Sequence, residues 1–245
     1  MDELETQTDS HPVTSLSVFF PCYNEKDSVQ AMMKKALSVA GTICDDFEVI
    51  LVDDGSTDGT AELIDELAAD HSNVRAVHHS QNQGYGAALQ SGFRAAAKDY
   101  VFYTDGDGQF DLCELPVLIS LIAHCDIVSG YRINRQDGIL RKLNAFCWTR
   151  LVCFLFGLKL KDIDCAFKLY KREIFDHIEM HSTGALIDTE ILARAIRKGY
   201  TIAQIGVHHY PRRAGESSGA DFKVIVRAFR ELFKLRKQIQ QTGKK

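Results

Sequence analysis

At 245 residues, 45% of them hydrophobic and 25% charged, the chain suffices for one large domain with a substantial core. Its net charge of −4 argues against general nucleic-acid binding, which calls for a basic balance. No stretch approaches the roughly 18 uninterrupted apolar residues of a membrane span, and the polar, acidic opening MDELETQTDSHP is not a signal peptide.

Residues 1–14 read as a disordered leader. The β-branched and aromatic run Leu16–Pro21 then predicts a strand, stopped by its proline. Helical spacing of Val29, Met32, Met33, Ala36 and Leu37 predicts a helix over 28–40, followed by an apolar strand over 47–52 and a helix over 58–69. A strand over 73–79, a small-residue helix over 84–97, a strand over 100–104, a helix over 112–123 and a short strand over 126–129 continue the alternation. Strands that are apolar throughout and alternate with helices predict an α/β fold, a mostly parallel sheet with helices on both faces. After residue 135 the pattern loosens into a helix over 140–156, strand-like 167–170, a helix over 188–198 and a strand over 201–208. The organisation expected is a domain over 15–220 and a basic amphipathic helix over 221–245, where from Phe222 onward eight Lys or Arg stand against the single acid Glu231. Seven cysteines, an odd number with no CxxC pair, read as a reduced cytosolic chain without a disulfide framework or zinc site.

Three predicted strands end in acids: PCYNE at 21–25 with Glu25, DDGSTDGT at 53–60 with Asp53 and Asp54, and DGDGQ at 105–109 with Asp105 and Asp107. Parallel strands bring such ends to one edge, where open α/β sheets bind ligands. Carboxylates gathered there repel one another unless a cation is supplied, and a hard divalent cation with a diphosphate co-ligand is the natural resolution. Gly106 and Gly108 allow the sharp turn that points both aspartates, and the Gln109 amide, inward. Either motif alone is an ordinary turn; together, at matching strand ends, they point to a site. An EF-hand loop fails on spacing: from Asp105 its sixth and twelfth positions hold Phe110 and Pro116, and from Asp54 the chain enters by a strand. The DxD of aspartate-nucleophile phosphatases belongs on the first strand, not the fourth.

These runs, with VFFPCYNE at 18–25, NQGYGAALQSGF at 82–93, SGYR at 129–132, DIDCAFKLY at 162–170 and PRRAGESS at 211–218, carry a resemblance. The chain resembles family-2 glycosyltransferases of the GT-A fold, and within them the polyprenyl-phosphate (dolichyl-phosphate) mannosyl- or glucosyltransferases. The resemblance implies an inverting, metal-dependent transfer of a hexose from a GDP- or UDP-sugar to a polyprenyl phosphate. By it, Pro21, Tyr23, Glu25, Val52, Asp54, Gly84, Asp105 and Gly106 hold the donor, with Asp54 accepting a hydrogen bond from the base. Asp105, Asp107 and Gln109 hold Mg²⁺ or Mn²⁺ and the diphosphate, while Arg132, Arg141 and Arg213 meet phosphates of donor or acceptor. Ala166 stands where a glycine is usual and Ser218 where a lysine is common, and the anchoring transmembrane helices of many relatives are missing from this sequence. Those departures bear on the acceptor.

Other readings stay open at this level. Gly84 and Gly86 either let a diphosphate approach a helix N-terminus or serve packing. His208 and His209 are metal contacts or structural residues. Asp188 and Glu190 are helix-end charges or orient a base for a hydroxyl acceptor. The stripe of Phe222, Ile225, Val226, Phe229, Leu232 and Phe233, backed by Lys223, Arg227, Arg230, Lys234 and Lys237, fits a helix lying on the cytoplasmic face of a membrane. It equally fits a helix packed on the domain, on a second copy in a homodimer, or on a membrane-anchored partner. Transfer to a saccharide hydroxyl is the nearest alternative activity. A sugar-phosphate nucleotidyltransferase expects a Gly-rich basic loop after the first strand, which PCYNEKD lacks, and an inactive binding module fits poorly with intact Asp54, Asp105 and Asp107.

Overall fold

The computed structural model describes residues 13–134, 139–211 and 222–242. Most of the expected leader thus lies outside the described residues. Val13, however, is already buried and Thr14 reaches Asp99, so residues 13 and 14 pack with the domain.

The first half alternates without exception: β1 Ser15–Cys22, α1 Val29–Ala40, β2 Asp46–Asp53, α2 Thr60–Asp70, β3 Val74–His78, α3 Tyr85–Ala95 and β4 Tyr100–Thr104. A 3₁₀ turn over Leu112–Glu114 leads into α4 Leu115–Ile122 and β5 Ile127–Ile133. Then come α5 Ile139–Phe156, β6 Phe167–Lys171, α6 Ile174–His177, α7 Ile187–Arg197, β7 Ile202–His208 and α8 Phe222–Thr242. One seven-stranded sheet results, in the order β3-β2-β1-β4-β6-β5-β7. The strands are parallel except β6, which runs antiparallel to both β4 and β5.

Consecutive residues of β1, Phe19 and Phe20, are both fully buried, so both faces of the sheet are covered. This is why the strands read as continuous apolar runs rather than alternating ones. On one face Phe19 stacks on Tyr103 with ring centroids 5.5 Å apart, and Phe93 of α3 meets both rings edge-on. On the other, Phe102 meets Phe167 at 4.7 Å. The order reverses between β1 and β4, and at such a switch point the helices on either side diverge and leave a crevice beyond the strand ends. Cys22, Asp53 and Thr104 are the last residues of the three strands bordering it.

Candidate active site

The loops that follow β1 and β2 are sewn together by polar side chains. Asn24 is held at a positive φ of 56°, a conformation asparagine tolerates, and its backbone N–H donates to Ser56 Oγ while its side-chain oxygen accepts from Thr57 N. Glu25 N donates to Thr60 Oγ1 at 3.0 Å, and Glu25 Oε2 accepts from Ser28 Oγ at 2.8 Å. This stitching leaves Tyr23 half exposed, at 47%, above Pro21 at the end of β1. Val52, paired with Pro21 across the ladder, is wholly buried and supports the crevice floor from beneath instead of lining it.

Asp54 sits among backbone donors of the segment that follows β3. Its carboxylate is buried and accepts from Gln83 N at 2.8 Å and Gly84 N at 2.9 Å, with His79 Nδ1 a further 2.6 Å from Oδ1. The two backbone N–H groups that this carboxylate accepts organise the segment 79–84. The same geometry decides between the two readings of the glycines. Gly84 adopts φ 99°, and a side chain there would meet the Thr183 carbonyl at 2.7 Å. The N–H of Gly86 donates to that carbonyl at 2.9 Å, and a Cβ on Gly86 would lie 2.4 Å from Ser182 O. The start of α3 is therefore packed against residues 182–184, and its first amides are engaged by protein rather than held open for a diphosphate.

The turn after β4 carries the paired acids. Gly106 packs under the end of β1, where a Cβ would lie 3.3 Å from Pro21 O. Asp107 Oδ1 accepts from Gln109 N at 3.0 Å, which tightens the turn. Gln109 in turn donates its amide to Tyr210 O and accepts from Tyr210 N, which ties this turn to the segment after β7. Asp105 Oδ1 accepts from the Tyr85 hydroxyl at 3.0 Å. Burial, together with the negative charge of Asp107, pushes the Asp105 carboxyl up to about 7, and the Tyr85 hydrogen bond only partly offsets this. Among the described residues no cluster of three or more His, Cys, Asp or Glu side chains is arranged to hold a metal. Two hard carboxylates suit Mg²⁺ or Mn²⁺, which also take diphosphate oxygens and water as ligands.

Behind Asp105 lies a buried ionic knot that sequence reading did not foresee. Lys168 of β6 is fully buried and donates to Asp188 Oδ1 at 2.9 Å, to Tyr103 Oη at 3.2 Å and to the Cys165 carbonyl. Tyr103 donates to the same Asp188 oxygen. Asp188 is thus the counter-ion of a buried lysine, and Glu190 anchors residues 181–182 through their N–H groups while pairing with Arg194. The one signal available was a lone lysine inside the apolar run AFKLY.

Arg132 is held by a carboxylate. Its Nε and Nη2 make a two-pronged pair with Asp162 at 2.6 and 2.8 Å, both side chains being largely buried. Burial alone would lower its pKa; the Asp162 hydrogen bonds and charge outweigh that and raise it. Arg141 lies within α5, but its side chain, like the whole of Arg213, falls outside the described residues. His208 pairs with Glu114 at 2.5 Å, and His209 packs edge-on against Phe110, so the structure places both in protein contacts.

With this geometry in place, the family model of glycosyl transferase family 2 matches residues 17–179, more than half of the chain. The chain belongs to this family. Among solved structures, glucosyl-3-phosphoglycerate synthase from Mycobacterium tuberculosis superposes with a TM-score of 0.69 at 20% identity, covering 92% of this chain and 80% of that one. One of its structures holds Mn²⁺, uridine diphosphate and glucosyl-3-phosphoglycerate. Mannosyl-3-phosphoglycerate synthase from Rubrobacter xylanophilus matches with a TM-score of 0.70 at 17% identity, covering 95% and 76%. Likeness at this identity establishes the GT-A architecture.

Proposed function

We propose that this family-2 glycosyltransferase moves a hexose from a GDP- or UDP-sugar to a phosphorylated acceptor, and that the acceptor is a polyprenyl phosphate. The observation that carries the reading is the Asp105–Asp107 turn at the switch point, opposite the stitched β1 and β2 loops. Asp105 and Asp107 would hold Mg²⁺ or Mn²⁺, whose chemistry is to offset the charge of the departing nucleoside diphosphate. The stitched loop leaves the Tyr23 ring accessible, so that it can pack against a nucleoside. A phosphate acceptor is already ionised near pH 7, so direct displacement at the anomeric carbon needs no strong general base. That agrees with a site in which Asp188 and Glu190 are both committed to structural partners.

The lipid acceptor draws support from the second half of the chain. Helix α8 packs Leu232, Leu235 and Ile239 inward, yet leaves Phe229 and Phe233 exposed, while α5 exposes Phe146 and Phe154. Arg150, Arg230, Lys234 and Lys237 are exposed on the same two helices. Trp148 meets Phe229 edge-on, so the two helices adjoin. No helix among the described residues is long and apolar enough to cross a membrane, so attachment would be peripheral. A second reading, a small phosphorylated acceptor, is favoured by the phosphoglycerate synthases that share the fold. A panel of GDP-mannose, UDP-glucose and UDP-N-acetylglucosamine with Mn²⁺, offered either a short polyprenyl phosphate or 3-phosphoglycerate, decides between them. Lipid-linked sugar supports the first reading; product only with 3-phosphoglycerate sinks it.

A further inference from the structure

Tyr85 is the first residue of α3, and its position is fixed from both sides. The preceding N–H, of Gly84, donates to Asp54 Oδ2 at 2.9 Å; the following one, of Gly86, donates to Thr183 O at 2.9 Å. Between these two clamps the phenol spans to the turn after β4 and donates to Asp105 Oδ1 at 3.0 Å. Among the described residues Oδ2 of Asp105 accepts no hydrogen bond. A carboxylate whose one oxygen is pinned cannot rotate about its last bond without losing that hydrogen bond, and groups that orient a metal ligand in this way commonly govern affinity.

We infer that Tyr85 is a positioning residue for the divalent-cation site: its hydroxyl fixes Asp105 so that the second oxygen faces the cation. The inference rests on the glycosyl-transfer reading of this turn, and it goes beyond that reading by joining the two halves of the crevice. Asp54 at the end of β2 and Asp105 after β4 are linked through two consecutive residues, Gly84 and Tyr85. A disturbance of the segment 79–84 would then be felt at the cation.

The test is titration of Mn²⁺, followed by its electron paramagnetic resonance signal, into full-length wild type, Tyr85→Phe, Asp105→Asn and the double variant, with and without uridine diphosphate. Tyr85→Phe keeps the ring and removes one hydroxyl. It is expected to bind Mn²⁺ about 10- to 100-fold more weakly with an unchanged melting temperature, the range typical of lost orienting partners. In the Asp105→Asn background the same change should cost nothing further. If Tyr85→Phe binds Mn²⁺ within twofold of wild type while Asp105→Asn is impaired, the cation site stands and the inference about Tyr85 is overturned. Additive losses in the double variant likewise overturn it, because the hydroxyl then acts other than through Asp105. If wild type itself takes up no Mn²⁺, the metal-dependent reading fails, and Tyr85 with it.

Discussion

At the scale of single residues, the acids that follow β2 and β4 differ in their surroundings: Asp54 is closed in by backbone donors, while Asp105 and Asp107 face each other across one turn. Asp54 is sealed and accepts two backbone N–H groups. Its removal strands buried donors, each costing about 1–3 kcal/mol. Asp54→Ala is therefore expected to lower stability by about 2–4 kcal/mol in urea unfolding, on the same per-donor scale. Asp107→Asn keeps the volume and the turn, and should abolish transfer and Mn²⁺ uptake while shifting the urea midpoint little. A loss of binding without loss of stability in Asp54→Ala would instead place that carboxylate on the ligand. Asp105 adds a pH dependence with a definite sign. Its carboxyl, ordinarily near 4, is pushed up to about 7, so the metal-free fold binds its proton more tightly than the unfolded chain does. That contribution favours the metal-free fold below about pH 4 and is lost as pH rises toward 7. A cation must displace the same proton, so Mn²⁺ affinity should weaken as pH falls below about 7. Calorimetry at pH 6 and pH 8 checks this; equal dissociation constants at both would mean that the cation displaces no proton from Asp105 in this range.

At the scale of elements, the sequence marks strands and strand ends well because burial on both faces writes itself as unbroken apolar runs, and acids just beyond them are conspicuous. Direction is another matter. Phe167–Tyr170 reads identically as a parallel or antiparallel strand, and only the structure shows β6 running against its neighbours. Pairings across loops are hidden for the same reason. Arg132 and Asp162 stand 30 residues apart, and nothing in SGYR or DIDCAF signals that one neutralises the other. The basic residue was legible; its partner was not. Because the pair is largely buried, removing one member leaves an uncompensated charge, typically a loss of 3–5 kcal/mol. Asp162→Ala should thus destabilise by about 3 kcal/mol, whereas a joint Arg132→Met, Asp162→Leu replacement should restore much of it. If the double replacement is as unstable as the single one, the pair contributes through packing and not through charge.

At the scale of the whole molecule, the last helix shows what an apolar stripe does and does not say. The periodicity of Phe229, Leu232 and Phe233 marked a sided helix, but the covered side is Leu232, Leu235 and Ile239, set in the core. Deleting α8 would therefore expose the core and confuse attachment with unfolding. Point changes on the outward side avoid that. Phe233 is 56% exposed on α8 and Phe154 83% exposed on α5, so Phe233→Ser and Phe154→Ser remove apolar area that lies mostly outside the core. Cations beside such aromatics would each contribute about 1 kcal/mol at an anionic bilayer, an attraction that salt screens. Wild type is expected to sediment with anionic vesicles at low salt and to release as salt rises. The double variant should stay in solution with an unchanged melting temperature and undiminished transfer to a short, water-soluble prenyl phosphate. Equal sedimentation of both proteins would mean that these two helices do not hold the chain to a bilayer.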